Sequence, residues 1–289
     1  MKGCKTMARF TNQAQLRYGN AVANSNIAVG EIIEVLSATK TAVRSVYGQN
    51  DHVVYMISIV NTGNTAFTGL SVSDDLGEYL FDTKPLIPLA YRENTLRYYV
   101  NGVLQTTPTV TAGPPLVISG INIPAGGNVM LVYETDVNSY APLETSSEIK
   151  NTAVISGGGI TPITIQETVT SESAPLLTIT KSVSPVPVTE HGTLTYTFLI
   201  QNSGSVAAAA DAAVVVTDTF DPVLSNLTVA FNGTTWMETL DYTYDETTGV
   251  FASEPGRITV PAASYTQEEQ TGAWVVNPGV STLVITGTI

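Results

Sequence analysis

Few side chains in this sequence could carry chemistry. It contains one cysteine, Cys4, and two histidines, His52 and His191. A single cysteine cannot form a disulfide within the chain, so Cys4 is either an unremarkable terminal thiol or a link between chains. His52 starts an alternating strand pattern and His191 precedes a glycine in a predicted turn, which makes both surface or turn residues. These residues do not indicate a catalytic centre.

Enzyme and metal motifs are also missing. The sequence has no glycine-rich phosphate loop ending in Gly-Lys-Ser/Thr, no Gly-x-Ser-x-Gly and no His-Glu-x-x-His. Asp241, Asp245 and Glu246 could bind Ca²⁺, but they lack the alternating oxygen ligands of a calcium loop, and solvated loop charge is the simpler interpretation. We predict a protein that is not an enzyme, apart at most from autocatalytic bond formation, with no cofactor and no metal.

Composition restricts the partners. The 289 residues carry a formal charge of −13, with 12 Lys and Arg against 25 Asp and Glu, so a phosphate backbone would be repelled and nucleic acid is not expected. No apolar run approaches the roughly 18 residues that cross a bilayer. Lys2 and Lys5 are not followed by the apolar stretch of a secretory signal, and the final ITGTI does not resemble a wall-sorting tail. Met1 and Met7 are both candidate start residues.

An internal repeat determines the predicted architecture. The first copy contains VLSATKTAV, HVVYMISIVNTGNTAFTGLSVSDDLG, YVNGVLQ and INIPAGGNVMLVYETDV, and the second contains LLTITKSVS, LTYTFLIQNSGSVAAAADAAVVVTDTF, AFNGTTW, ITVPAASY and STLVITGTI. Alternating apolar and polar residues predict strands, and Asn101-Gly102 and Asn232-Gly233 predict tight hairpin turns. Short strands with regular turn signals are typical of antiparallel β-sandwiches.

These motifs, in this order, resemble the immunoglobulin-like conserved repeat of unknown function that occurs in tandem on bacterial surface proteins, a group with isopeptide-forming, fimbrial-type modules. The resemblance rests on the Thr-Lys opening strand, the Asn-x-Gly turn, the Val-x-Val-x-Asp segment, the Ile-Pro-Ala turn and the closing Asn-Thr-Ala-Val, and it covers nearly the whole chain. It implies an all-β protein with two immunoglobulin-like β-sandwich modules in tandem, residues 31–174 and 175–289.

The second copy is predicted to lack its closing strand. Copy one continues to a closing strand at 150–155, whereas copy two stops at Ile289. A sandwich without an edge strand exposes its core and unpaired backbone groups, and a strand from another chain can fill the gap. Residues 1–30 read like the end of a preceding repeat, so we predict a donor-strand segment there; a disordered tail beside a shortened sandwich is the alternative. The predicted donor residues are Thr11, Asn12, Ala14, Leu16 and Tyr18.

The resemblance also implies a reaction. In surface modules of this build, a lysine on the opening strand attacks an asparagine amide on the closing strand, assisted by a buried acid, to form an isopeptide bond. The matching residues within copy one are Lys40, Asn151 and the acid Asp74; adjacent strand residues face opposite ways, which disfavours Asp75. Between subunits the matching residues are Lys181, Asn12 and the acid Asp218. The alternative is that both lysines form ordinary surface salt bridges, which contribute little.

A donor that differs from its acceptor produces a ring or an open filament. We therefore predict a structural subunit of a self-assembling extracellular or spore-surface filament, which polymerises head to tail with copies of itself by N-terminal donor-strand complementation. Without a visible export signal, assembly inside a cell and release on lysis is one route to that surface. The alternative is a monomeric surface adhesin or carbohydrate-binding module with a host or polysaccharide ligand. Its candidate aromatic residues are Tyr91, Tyr98, Tyr99, Tyr242 and Tyr244.

Overall fold

The computed structural model describes residues 8–32 and 35–289. Within them the regular elements are 28 β-strands and one short 3₁₀ turn, Ala210–Ala212, so the predicted all-β class is confirmed. The strands form an N-terminal hairpin followed by two sandwich-like units, called module 1 and module 2 below. Cys4, Met1 and Met7 lie outside the described residues.

The N-terminal hairpin stands apart from both modules. Its outer strands pair antiparallel from Ala8 to Ile32, and its inner strands pair around a turn at Gly19, where φ is +53°. In the described part of the chain these four strands pair only with one another, and every residue from 11 to 29 is exposed. The predicted donor segment is therefore a hairpin built from these four strands, and its expected boundary at residue 30 falls inside the last strand. The strands are β1 (Ala8–Asn12), β2 (Gln15–Tyr18), β3 (Ala21–Asn24) and β4 (Ala28–Ile32).

Module 1 is a sandwich of two large sheets. One sheet has the order β13-β12-β16-β7-β5, with β11 also on β16, and the other has the order β14-β15-β8-β17-β18-β6; β9 and β10 form a separate small hairpin. The strands are β5 (Leu36–Ala42), β6 (Val46–Tyr47), β7 (His52–Asn61), β8 (Phe67–Asp74), β9 (Tyr79–Phe81), β10 (Lys84–Leu86), β11 (Leu89–Tyr91), β12 (Arg97–Val100), β13 (Val103–Gln105), β14 (Thr109–Thr111), β15 (Leu116–Ile123), β16 (Asn128–Val137), β17 (Glu148–Gly157) and β18 (Ile163–Ser171).

Module 2 repeats this plan with one sheet reduced. The order β19-β20-β28-β22-β23 matches the first sheet of module 1 strand for strand, but the second sheet contains only β21-β25-β24. Within the described residues, no strand of module 2 occupies the positions of β17 and β18. The strands are β19 (Leu177–Ser184), β20 (Thr193–Asn202), β21 (Thr217–Thr219), β22 (Ser225–Phe231), β23 (Thr234–Thr235), β24 (Tyr242–Asp245), β25 (Val250–Ser253), β26 (Ser264–Gln267), β27 (Trp274–Asn277) and β28 (Gly279–Thr288).

The alternation of the sequence is what builds each core. Along β7, Val53, Tyr55, Ile57 and Ile59 are fully buried while their neighbours are not. Side chains of successive strand residues point to opposite faces, so one face packs against the other sheet. Each such aliphatic side chain contributes on the order of 1.5–3 kcal/mol when it is removed from water.

Two turn motifs confirm that the modules share one plan. Asn101 and Gly102 have φ of 49° and 78°, and Asn232 and Gly233 have 48° and 79°, as the predicted hairpin turns require. The asparagine of each Asn-x-Gly motif, by contrast, fixes nearby loops through its side-chain amide. The Asn61 amide donates to the Thr65 and Pro124 carbonyls, and the Asn202 amide donates to their counterparts, Val206 and Pro261.

A hairpin inserted in module 2 joins the two modules. Module 1 makes the turn from Pro124 to Gly127 directly, whereas the same turn in module 2 is extended by β26 and β27. This joint hairpin, residues 262–278, reaches back onto module 1. The Trp274 amide N–H donates to the Ser139 carbonyl at 2.7 Å, and the Trp274 indole and the Gln267 amide both donate to the Tyr79 hydroxyl.

Apolar contacts reinforce the joint. Gly272 is buried so tightly that a Cβ there would lie 2.5 Å from Leu86, and Tyr265 and Val276 pack against the core of module 1. The Lys84 ammonium donates to the Gln270 carbonyl at 2.7 Å. The modules are thus held by a packed surface as well as by the chain between Ser171 and Leu177.

Shortening the joint hairpin is expected to loosen the modules without unfolding them. Replacing residues 263–278 with one glycine would recreate the short Pro-Ala-Gly-Gly turn of module 1. We expect small-angle X-ray scattering to change from the profile of one rigid body to that of two bodies in variable orientation, because only the linking segment would remain. The calorimetric transition of module 1 should stay within a few degrees of the parent value. An unchanged scattering profile would show that the hairpin does not hold the joint.

Candidate functional site

A buried ion pair spans the two sheets of module 1. Lys40 projects from the edge strand β5 and Asp74 from β8, and the Lys40 Nζ lies 2.7 Å from Asp74 Oδ2. Their side chains are 0% and 1% exposed. Burial lowers the pKa of Lys40, although the charge of Asp74 and the hydrogen bond to it oppose this shift. The shift is in the direction of the neutral amine that a nucleophilic lysine needs.

The Asp74 carboxylate is fully engaged. Its Oδ2 also accepts a hydrogen bond from the Tyr133 hydroxyl, and its Oδ1 accepts one from the Leu76 amide at 2.9 Å. Asp75 faces the other way, where its Oδ1 accepts the Thr152 amide. Asp74 is accordingly the acid that points into the core beside Lys40.

Asn151 completes this cluster from β17. Strand β17 pairs with β8 so that Ala153 lies opposite Asp74, and Asn151 is two residues away on the same buried face. Neither Asn151 Oδ1 nor Nδ2 has a hydrogen-bond partner, and the Tyr55 hydroxyl is also without one. Each unsatisfied buried polar group costs about 1–3 kcal/mol. The unpartnered atoms of Asn151 therefore make this cluster costly in its present arrangement.

Tyr55 lies against the lysine of this cluster. The Lys40 Nζ lies 4.9 Å from the centre of the Tyr55 ring. Burial raises the pKa of Tyr55, and an interaction with the Asn151 side chain opposes this rise. The three predicted residues of module 1 thus converge on one pocket.

Module 2 has an equivalent lysine–aspartate pair, but this pair is partly exposed to solvent. Lys181 contacts Asp218 as Lys40 contacts Asp74, but the Lys181 side chain is 38% exposed and the Asp218 side chain 18% exposed. The Lys181 Nζ lies over three rings, at 4.5 Å from Tyr196, 5.2 Å from Phe220 and 5.4 Å from Phe198. On the edge strand β19, the residues from 178 to 184 are all exposed. This open edge is where β17 and β18 cover the pair in module 1.

The structure does not bring Asn12 to Lys181. Asn12 pairs with Ala28 at the end of β1, on the exposed hairpin. Of the other predicted donor residues, Thr11 is in β1, Leu16 and Tyr18 are in β2, and Ala14 lies between these strands. Sequence reasoning named the lysines, acids and asparagines but overlooked Tyr55; its recurrence as Tyr196 at the same station of the second copy was an available signal.

The acidic cluster of module 2 has structural tasks. Asp241 is nearly buried and pairs with Arg257, and the Asp245 carboxylate accepts hydrogen bonds from Thr247 and Thr248, which lower its pKa. Across residues 8–32 and 35–289 there is no group of three or more His, Cys, Asp or Glu side chains placed to hold a metal ion. The same part of the chain has no helix with the length and apolar character that a bilayer crossing requires.

Comparison with known proteins gives distant structural similarity only. No protein-family model matches the chain, and no curated relative matches its sequence. The pilus backbone subunit RrgB of Streptococcus pneumoniae is 10% identical with a TM-score of 0.34; the match covers 84% of this chain and 55% of that one. The major pilin BcpA of Bacillus cereus is 10% identical with a TM-score of 0.37, covering 94% and 73%.

A surface adhesin gives a similar result for part of the chain. The collagen-binding domain of a Staphylococcus aureus adhesin is 14% identical with a TM-score of 0.31, covering 48% of this chain and 99% of that one. The chain is thus an all-β protein with distant structural similarity to bacterial pilins and surface adhesin domains. Similarity of this degree carries no argument about assembly, which has to be inferred from the chain's own geometry.

Proposed function

We propose that the protein is a structural subunit of a bacterial surface filament, assembled head to tail when the N-terminal hairpin of one subunit fills the open edge of module 2 in the next. One observation carries this proposal. The Lys181–Asp218 pair stands open at the edge where the β17–β18 hairpin covers the equivalent pair of module 1. A free hairpin of similar form stands at the other end of the same chain.

The hairpin has the residues that the open edge needs. In module 1 the inward face of β17 carries Asn151, Ala153 and Ile155, all fully buried. In the hairpin the same spacing is found in Asn12, Ala14 and Leu16. A strand inserted in this register places Ala14 opposite Asp218 and Asn12 beside Lys181.

Both surfaces are apolar and exposed. On the hairpin, Leu16 and Tyr18 are 64% and 63% exposed, and Val22, Ile27 and Val29 are each more than half exposed. On the open edge, Ile179 and Val215 are 52% and 43% exposed. Exposed apolar strands with unpaired edges are an aggregation hazard unless another strand covers them. Burial of one surface against the other removes both from water, and strand addition satisfies the backbone groups.

Covalent locking follows from the same docking. A proton moves from the lysine ammonium to the aspartate, and the neutral Nζ attacks the asparagine Cγ. The Nζ–Cγ bond forms, the Cγ–Nδ2 bond breaks, and Nδ2 takes up a proton and leaves as ammonia, so the acid ends protonated. The folded sandwich positions the groups in place of an external catalyst. We infer this reaction for Lys40, Asp74 and Asn151 within a subunit, and for Lys181, Asp218 and the Asn12 of another subunit.

The adhesin alternative has less support. It requires an exposed aromatic platform for a sugar or a host protein. Of the five candidate tyrosines, Tyr98 and Tyr242 are buried, and Tyr91, Tyr99 and Tyr244 are half-buried. No exposed platform is formed by these residues.

Electron microscopy and denaturing gels of the full chain test the proposal together. We expect filaments, a ladder of multimers after boiling, and a tryptic peptide pair joined through Lys181 and Asn12 that is one ammonia lighter than its parts. Asn12→Ala should still form filaments but should run as a monomer after boiling, whereas the neighbouring Gln13→Ala should keep the ladder. Discrete particles under all conditions would overturn the filament and favour the adhesin.

A further inference from the structure

We infer that Tyr55 is a catalytic residue of the isopeptide reaction in module 1, its hydroxyl donating a hydrogen bond to the Asn151 carbonyl oxygen as negative charge develops there, and that Tyr196 does the same in module 2. This inference rests on the proposed covalent reaction. It adds a third chemical group to the lysine and the acid. Attack by the amine turns the planar amide into a tetrahedral intermediate whose oxygen carries charge, and such an oxygen needs a donor in a site without water.

Tyr55 is a donor that the described ion pair does not use. In the unreacted site both oxygens of Asp74 accept hydrogen bonds, one from Lys40 and Tyr133 and the other from the Leu76 amide, so Asp74 offers no donor until it takes the lysine proton. Tyr55 is fully buried with its ring centre 4.9 Å from the Lys40 Nζ, and neither its hydroxyl nor the amide atoms of the buried Asn151 meet the geometric criteria for a hydrogen bond in this structure. A buried tyrosine hydroxyl normally has a hydrogen-bond partner. In this site, the oxygen that becomes charged in the tetrahedral intermediate can serve as that partner.

The second module supports the same assignment. Strand pairing sets Tyr55 against Tyr133 and sets Tyr196 against Ile285, so module 2 keeps the first phenol and lacks the second. The Lys181 Nζ lies 4.5 Å from the centre of the Tyr196 ring, close to the 4.9 Å between Lys40 and the Tyr55 ring. The phenol common to both sites is therefore the one that lies against the lysine, and Tyr133 is an addition specific to module 1.

Intact-mass kinetics of the full chain test Tyr55. All chains carry Lys181→Ala, which prevents the bond between subunits, and we expect this otherwise wild-type chain to be one ammonia lighter than its sequence when purified. Tyr55→Phe should be isolated largely unreacted and should lose ammonia slowly on incubation, about 10²–10³-fold more slowly than wild type, as for the loss of one oxyanion donor. The matched control is Tyr47→Phe, which removes a fully buried hydroxyl whose partner is the Pro142 carbonyl, away from the site. It should react at the wild-type rate.

The effect of Tyr55→Phe on folding can be measured apart from its effect on the reaction in a chain that cannot form the bond. In a Lys40→Ala chain, adding Tyr55→Phe should leave the unfolding transition of module 1 unchanged or slightly higher, since it removes an unpartnered hydroxyl. Equal rates for Tyr55→Phe and Tyr47→Phe would overturn the inference while leaving the bond itself intact. A wild-type chain at its full sequence mass would overturn the bond and the role of Tyr55 together, but not strand donation, which microscopy measures independently.

The role of Tyr196 can be tested by mixing two variant chains, neither of which can form the bond between subunits on its own. An acceptor chain carrying Asn12→Ala is mixed with a donor chain carrying Lys181→Ala, so that one covalent linkage is possible and the boiled product is a dimer. Adding Tyr196→Phe to the acceptor should slow dimer formation by the same factor while the extent of non-covalent assembly stays the same. An unchanged rate would show that Tyr196 takes no part.

Discussion

A chain that begins at residue 33 is expected to remain monomeric at concentrations at which the full chain forms filaments. The truncation removes the hairpin, β1 to β4, and leaves both modules with all the strand pairings that they have among the described residues. The truncated chain still offers the open edge at Lys181. Added to full-length chains, it should therefore occupy one end of each growing filament and shorten the average length. Size-exclusion chromatography and negative-stain microscopy would measure both effects.

A matched pair of substitutions separates docking from the mere presence of a hairpin. Leu16 corresponds to the fully buried Ile155 of β17, whereas its neighbour Arg17 corresponds to the half-buried Ser156 on the other face. Leu16→Asp should abolish filaments, because it places a charge in the core of the acceptor. Arg17→Asp should be tolerated. Filaments from the truncated chain, or equal behaviour of the two substitutions, would contradict assembly through the hairpin.

Much of the fold could be predicted because the strands and turns follow from local sequence patterns, namely apolar–polar alternation and turn residues. The alternation from Val53 to Val60 is sufficient to assign β7, and Asn101-Gly102 is sufficient to assign the turn between β12 and β13. The same alternation distinguishes Asp74, which faces the core, from Asp75, which does not. A period of two residues determines both the element and the face.

Features that depend on distant partners could not be predicted in this way. The sequence predicts a donor segment over residues 1–30 but not the pairing of residues 21–32 with β1 and β2, because that pairing depends on a register that no local signal specifies. The docking of the joint hairpin could not be predicted, because its partner Tyr79 is far away in the sequence. Likewise, a tyrosine on the buried face of β7 reads as core; only the three-dimensional arrangement shows that the Tyr55 hydroxyl has no partner.

Substituting the same residue type in the two modules is expected to have very different effects on stability. In module 1, Lys40→Met prevents the cross-link, and loss of a covalent link that closes so long a loop costs of the order of 4–5 kcal/mol by analogy with a disulfide. Relative to an unreacted chain in which Lys40 still pairs with Asp74, the substitution also leaves a fully buried carboxyl group without its counter-charge. An uncompensated buried charge costs about 3–5 kcal/mol. Differential scanning calorimetry should show a large drop in the unfolding temperature of module 1.

Two further variants divide this loss into its parts. Asn151→Ala prevents the bond but keeps the Lys40–Asp74 pair, so it reports the cross-link with only a small packing loss. Lys40→Met combined with Asp74→Asn removes both charges, and it should recover about 3 kcal/mol or more relative to Lys40→Met alone. If the single and double variants were equally stable, the buried carboxylate could not be the source of the penalty.

In the free subunit, Lys181→Met should cost no more than about 1 kcal/mol, since an ion pair with a side chain 38% exposed is screened by water. The same substitution should become costly once a donor hairpin covers the pair, because the carboxylate of Asp218 then loses its solvent without gaining a counter-charge. Filaments of Lys181→Met should therefore dissociate at a lower denaturant concentration than those of Asn12→Ala, although both lack the bond between subunits. Equal dissociation midpoints would mean that the donor leaves Asp218 open to water, and the docked edge would then differ from the closed edge of module 1.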